Sequence, residues 1–511
     1  MIKNFKWLLL VSLSFAACTN NDDPTVVSNS SDGMPLTKGT ADFSKYVALG
    51  NSLCAGYSDN ALFKSGQEGS YTNILSKQFA LVGGGAFTIP YMNDNIGGLL
   101  LGGTVIAGPR LYFDVPTSTP TPVAGMPTTD IINHLTGPFN NMGVPGAKSY
   151  HLLAPGYGSV AGVPLGTANP YFARFASTPS ATILGDAMAQ NPTFFSLWIG
   201  NNDVLGYATT GGDGTNPITP EIGPAGVGFN GTYKYLLNTL TSQGAKGVVA
   251  NIPYVTTVPF FTTVPFNPIT AKVIGGGNEA TGQATIAALN AQLYGPLDQA
   301  LTAFGQPDRI NILSTTGPNP LLIKDESITD LSAQLTAAFT PIMGPTTAAI
   351  YGQIFGQARQ STAADLILLT TQSVIGTAPV GSSYPLNSYG VTYPLGDKDV
   401  LIPTEIAELK TATDAFNLII KNDAALHGLA FVDANKFLSD ANSGGVIGDN
   451  YTLTSTYVTG GLFSLDGVHP SPRGYAYIAN KFLEAINATY GSNLKGVNLA
   501  NYGILYPQLL P

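Results

Sequence analysis

Short unbroken apolar runs punctuate the chain at residues 46–50 (YVALG), 194–200 (FFSLWIG), 247–253 (GVVANIP) and 429–433 (LAFVD). Continuous rather than alternating hydrophobicity predicts strands covered on both faces. Between the runs, apolar residues recur at helical spacing. Tyr233, Leu236, Leu237 and Leu240 form one stripe, which should stop at Gly244. Ile286, Leu289, Leu293, Leu297 and Leu301 form a second. Ile406, Leu409, Phe416, Ile420 and Leu426 form a third, with Glu405 and Glu408 near its positive end. Ser471-Pro472, a cap followed by a first-turn proline, precedes Ile478, Phe482 and Ile486. Strands alternating with helices predict an α/β fold with a central parallel sheet and helices on both faces. The 511 residues allow about three domains, but one sheet is visible, so a single domain over 41–490 is expected, followed by a tail at 491–511.

Two segments interrupt the pattern and read as insertions. Residues 83–139, rich in Gly, Pro and Thr, predict long loops. Residues 308–402 contain a stretch, 331–358, with no charged side chain and with helical pieces broken at Pro341 and Gly344-Pro345. That stretch reads either as a lid or acyl-binding wall over a site, or as a helical hairpin buried in the body.

Composition narrows the function. Charged residues make up 10% of the chain, and the balance of 22 basic to 31 acidic gives a net charge of −9. Nucleic acid is excluded as a partner, because neutralising phosphates takes clustered Lys and Arg. Four His and two Cys cannot supply several zinc sites or a disulfide framework, so metal chemistry and cysteine cross-linking are not expected.

The first 17 residues place Lys3 and Lys6 before an apolar run from Trp7 to Ala17, the pattern of an export signal. The run falls short of the ~20 residues that span a bilayer. Cys18 follows Ala16-Ala17 directly and resembles the cysteine of a bacterial lipoprotein cleavage box, which implies lipidation of Cys18. Residues 18–40 are polar and carry no periodicity, so they read as a flexible tether. Asn21-Asp22-Asp23 within them resembles a surface-export signal. The expected location is therefore an exported, membrane-anchored lipoprotein in the outer membrane, with the periplasmic and the cell-surface leaflet both open.

Active groups on a parallel sheet belong just past the carboxyl ends of its strands. There the chain has Gly50-Asn51-Ser52-Leu53, Gly200-Asn201-Asn202-Asp203 and Asp466-Gly467-Val468-His469, with a permissive loop at Asn141–Ala147 (NMGVPGA). Singly each is ordinary: Ser52 reads as a helix N-cap and Asn202 as a loop cap. Together, and in this order, they resemble the four blocks of the SGNH hydrolases, the GDSL-type esterase and lipase superfamily. DGVHPSPRGYAYIAN and WIGNNDV are the most specific stretches.

The resemblance implies a three-layer α/β/α sandwich similar to flavodoxin, and hydrolysis of carboxylic esters through an acyl-enzyme without metal or organic cofactor. Ser52 would be the nucleophile and His469 its base. Asp466 would orient the imidazole. The N–H groups of Ser52 and Gly146, with the Asn202 amide, would form the oxyanion hole. His134, His151 and His427 have no Asp three residues before them and read as structural. Cys54 reads as a small buried residue. The family carries Asp where this chain has Asn51, and the separations of 94 residues from Ser52 to Gly146 and 264 from Asn202 to Asp466 fit the two insertions. A small acyl ester, a lipid ester and an O-acylated glycan all remain as substrates, the uncharged stretch favouring an apolar acyl group. Two rivals remain: a catalytically silent surface lipoprotein binding lipid or glycan in the same cleft, and an acyltransferase working through Ser52.

Overall fold

The computed structural model describes residues 29–382 and 384–511. The export signal, Cys18 and the acidic stretch at 21–23 lie outside the described residues.

Five strands form one parallel sheet: β1 (Tyr46–Gly50), β2 (Asn141–Gly143), β3 (Phe194–Trp198), β4 (Lys246–Ala250) and β5 (Ala430–Val432). Their order across the sheet is β5-β4-β3-β1-β2, and Tyr46 pairs with Phe194, Phe194 with Lys246, and Val248 with Ala430. The four apolar runs became β1, β3, β4 and β5. β2 came from the loop NMG, where three residues carry no apolar run to announce a strand. It pairs with β1 from Ala48↔Asn141 onward.

The principal helices are α1 (Ser52–Ala55), α2 (Tyr71–Ala80), α3 (Asn201–Thr209), α4 (Phe229–Thr241), α5 (Pro403–Leu426) and α6 (Pro472–Tyr490). Side chains alternate across β3. Phe194 and Trp198 meet Phe79 and Tyr71 of α2 and Tyr490 and Phe482 of α6. On α4 and α5, Phe229 stacks on Phe416 at 4.1 Å. α6 starts as its sequence predicts: the Ser471 hydroxyl accepts the Gly474 N–H at 2.9 Å, and Pro472 occupies the first turn. The molecule is thus mixed α/β with a central parallel sheet covered by helices, as expected.

The insertions differ from expectation. A second hydrophobic core, separate from the one around the sheet, runs from Val264 to Ile402. The long insertion therefore begins soon after β4, well before 308, and it takes in the stripe Ile286–Leu301. That stripe is two helices, Glu279–Leu289 and Gly295–Ala303, joined through a wider turn at Asn290–Tyr294. The uncharged stretch folds as a hairpin of Ser332–Met343 and Pro345–Phe355. Phe339, Tyr351 and Phe355 pack inside the second core. Residues 83–139 are more ordered than loops, with antiparallel ribbons Leu99–Leu101/Thr104–Ala107 and Leu111–Asp114/Thr119–Pro122.

Both ends of the described stretch are pinned. Of the expected tether, residues 29–40 lie against the end of α6: the Ser31 and Thr37 N–H groups donate to Asn493, and Thr40 N–H donates to Tyr490 O. The tail returns to the 65–110 region, where the buried Arg110 guanidinium donates to the carbonyls of Pro507 and Gln508 and Tyr506 OH donates to Ser65 O. These stretches lack apolar periodicity, and backbone and side-chain hydrogen bonds hold them instead.

Candidate active site

Ser52 stands at the first position of α1, directly past the carboxyl end of β1. Asn51, not Ser52, caps this helix: its Oδ1 accepts the Leu53 N–H at 3.0 Å. The Ser52 hydroxyl is therefore left for other work. It lies 2.8 Å from His469 Nε2, and His469 Nδ1 lies 2.9 Å from Asp466 Oδ2. With the carboxylate accepting from Nδ1–H, Nε2 is the acceptor facing the Ser52 hydroxyl.

Asp466 is held from several directions. Its Oδ1 accepts the N–H groups of Val468 and His469, both at 2.8 Å, so the Asp-x-x-His spacing closes on itself as a turn. Its Oδ2 also accepts the Asn60 N–H at 3.0 Å. Burial opposes its charge, but the adjacent His469 and these hydrogen bonds outweigh burial and bring the carboxyl down to about 2. Gly467 occupies a left-handed φ of +73°, and a Cβ there would meet Phe260 N at 3.0 Å and Leu369 Cδ2 at 3.1 Å. Phe260 N–H donates to Gly467 O at 2.9 Å. The long insertion thus reaches the site through Phe260 and Leu369, not through residues 331–358.

Gly146 and Asn202 border the same open cleft as Ser52, Asp466 and His469, a space of about 330 Å³. Gly146 has φ +81°, a conformation that costs glycine little. Among the described residues its N–H and that of Ser52 have no acceptor. Asn202 spends one amide hydrogen on Ala147 O at 2.9 Å and keeps the other. Ser52, Gly146, Asn202, Asp466 and His469 are therefore brought to one place, while Cys18 lies outside the described residues.

Several contacts around the site went unread in the sequence. Asn51 Nδ2 donates to Asn201 Oδ1 at 3.2 Å, joining the turns after β1 and β3. An amide supplies both donor and acceptor here, where a carboxylate would supply acceptors alone. Asp203, fully buried, accepts the Ser149 N–H at 2.8 Å and the Ser149 hydroxyl at 2.6 Å, tying the segment after Gly146 to α3. Burial raises its carboxyl to about 6 against those hydrogen bonds. The Tyr57 ring lies 4.6 Å from the His469 ring. Residues 57–61 form a platform under the acid–base loop: Ser58 Oγ donates to Pro470 O, and Asp59 N–H donates to Ser464 Oγ.

The remaining titratable candidates sit elsewhere. His151 Nδ1 accepts the Lys148 N–H, and burial followed by the Lys148 charge lowers the imidazole to about 4. His134 bonds Ala176 O, and His427 bonds Asp423 O and Asn238 Oδ1. Cys54 is buried beside Asn141, and burial pushes its thiol up, away from thiolate chemistry. Glu326, Asp397 and Glu405 offer carboxylate oxygens within 4.8 Å of one another. Burial, then the neighbouring Glu326, raises Asp397 to about 7; burial, opposed by the Ile402 N–H and joined by the Asp397 charge, raises Glu405 to about 8.

No family model, curated protein or solved structure matches the chain.

Proposed function

We propose that the protein is a serine ester hydrolase of the SGNH type. The observation that carries this reading is the unbroken chain from Ser52 Oγ through His469 to Asp466, at 2.8 and 2.9 Å, opening on a cleft. A free serine hydroxyl is too basic to attack an ester, and a base in contact removes that barrier. Ser52 Oγ would attack the carbonyl carbon while His469 Nε2 takes its proton. Ser52 N–H, Gly146 N–H and the Asn202 amide would receive the charge that develops on the carbonyl oxygen. His469 would then return the proton to the leaving alcohol, giving an acyl-enzyme. Water, deprotonated by the same imidazole, would release the acid and restore Ser52. Asp466 stays ionised throughout and stabilises the imidazolium.

The location proposed with this activity is an exported lipoprotein anchored through Cys18, facing a small acyl ester, a lipid ester or an O-acylated glycan. No helix among the described residues is long and apolar enough to cross a membrane.

The test is fluorophosphonate labelling and nitrophenyl acetate turnover by residues 19–511, beside Ser52→Ala. Both should vanish in the variant; labelling and turnover that persist there refute the assignment. A folded wild type that shows neither favours a silent lipid- or glycan-binding protein. Ester formation on added alcohol, exceeding hydrolysis, marks an acyltransferase.

A further inference from the structure

Two hollows meet at the candidate nucleophile, and they differ in kind. One is the open cleft of about 330 Å³, with Tyr57, Tyr171 and Phe260 on its walls. The other is the more enclosed of the two, about 40 Å³, and is the closed hollow in this contrast. Ser52, Asn202, Leu205, Val468 and His469 border both. The closed hollow continues between Trp198, Val258, Leu438, Leu462 and Ile478, and His469 is its one ionisable neighbour.

From this division we infer that the enzyme takes esters of an acetyl-sized acid with a bulkier alcohol, the acyl group entering the closed hollow and the alcohol lying in the open cleft. The inference rests on the hydrolase reading and adds a substrate class to it. Three arguments carry it. The first is order of departure: the alcohol must leave, and water must arrive, before the acyl-enzyme breaks down, so the alcohol belongs on the open side. The acyl group stays bonded to Ser52 Oγ meanwhile and suits the closed side. The second is chemistry, since a lining that is mostly apolar, with the uncharged amides of Asn51, Asn201 and Asn202 as its further polar groups beside Ser52 and His469, accepts a methyl group and rejects a charged one.

The third is volume. A water needs ~10–15 Å³ of such space, so about 40 Å³ admits a methyl or ethyl group but no long chain. Nor can the hollow widen cheaply. Trp198, Leu462 and Ile478 are at most 1% exposed and belong to the core around the sheet, where side chains are packed to crystal-like density and inserting carbons strains their neighbours. The uncharged stretch 331–358, which favoured an apolar acyl group in the sequence, borders neither hollow.

The experiment compares nitrophenyl acetate, butyrate and octanoate on the wild type and on two variants that enlarge the hollow, Leu438→Ala and Val258→Ala. Ser52→Ala and circular dichroism run in parallel. Because one misfitted methylene typically costs about tenfold or more in kcat/KM, octanoate should fall at least ~10-fold below acetate in the wild type. Whichever variant stays folded should narrow that gap several-fold, chiefly by gaining on the longer esters. Octanoate turned over as well as acetate by the wild type overturns the inference, and so does an unchanged gap in the folded variants. Turnover that Ser52→Ala abolishes, with the wrong length order, sinks the substrate class alone. Turnover that survives Ser52→Ala, or none by a folded wild type, sinks the hydrolase reading and this inference with it.

Discussion

Asp59 offers a stability test of the platform beneath the acid–base loop. It is 1% exposed, and its Oδ1 accepts the Leu465 N–H at 3.0 Å. Its Oδ2 is buried with no hydrogen-bond partner among the described residues. Burial raises its carboxyl from 3.8 to about 7; the Leu465 hydrogen bond opposes this, the Asp466 charge adds to it, and Arg110 opposes it. An unfolded chain would release this proton near 3.8, whereas the folded protein holds it to about 7. The proton thus stabilises the fold fully below the unfolded value, and that stabilisation is lost as pH rises through the folded one. At ~1.4 kcal/mol per pH unit, the loss from pH ~4 to ~8 is on the order of 4 kcal/mol.

Asp59→Asn removes the titration. Asn keeps an acceptor for Leu465 and tolerates the backbone φ of +50° at this position. Urea unfolding of both proteins across that range should show the wild type losing stability relative to the variant as pH rises. The stability difference should level off above about pH 8. A difference that stays constant over the whole range refutes the argument that Asp59 carries a proton in the fold.

Two further substitutions separate roles within the site. Asp466→Asn keeps the shape of the turn but removes the charge that fixes the imidazole, and kcat for acetate esters should drop by about 10⁴ with KM little changed; a loss under tenfold would count against the assigned role. Asn202→Ala deletes one donor and should lower kcat by about 10²–10³. Its thermal unfolding should shift little, because among the described residues the amide's protein hydrogen bond is the one to Ala147 O; equal losses in stability and activity would mark Asn202 as a structural cap.

Much of this was legible because it is local. Unbroken apolar runs became four of the five sheet strands, since a strand buried on both faces writes its burial into consecutive residues. The cap and proline at 471–472 started α6 as read. Asp466 and His469 stood out because the two are brought together within one turn, and four histidines left few alternatives. β2 escaped notice because its three residues pair through main-chain bonds, which any side chain permits. The insertion boundary was misplaced because an apolar helical stripe does not declare which of two cores it faces.

By itself, the sequence determined the alternation of strands and helices, the strand ends where active groups can gather, and the residue types there able to form a nucleophile, base and acid. Tertiary structure alone decided how those residues are held and what they face. Asn60 meets Asp466 across 406 positions, and Ser52 meets His469 across 417. Asn51 finds Asn201, and Asp203 holds Ser149, through turns that only the sheet order makes neighbours. The closed hollow behind Ser52 belongs to no segment of the chain. Its size follows from side chains of distant elements packing to a common density, and volume of that kind has no counterpart in the order of residues.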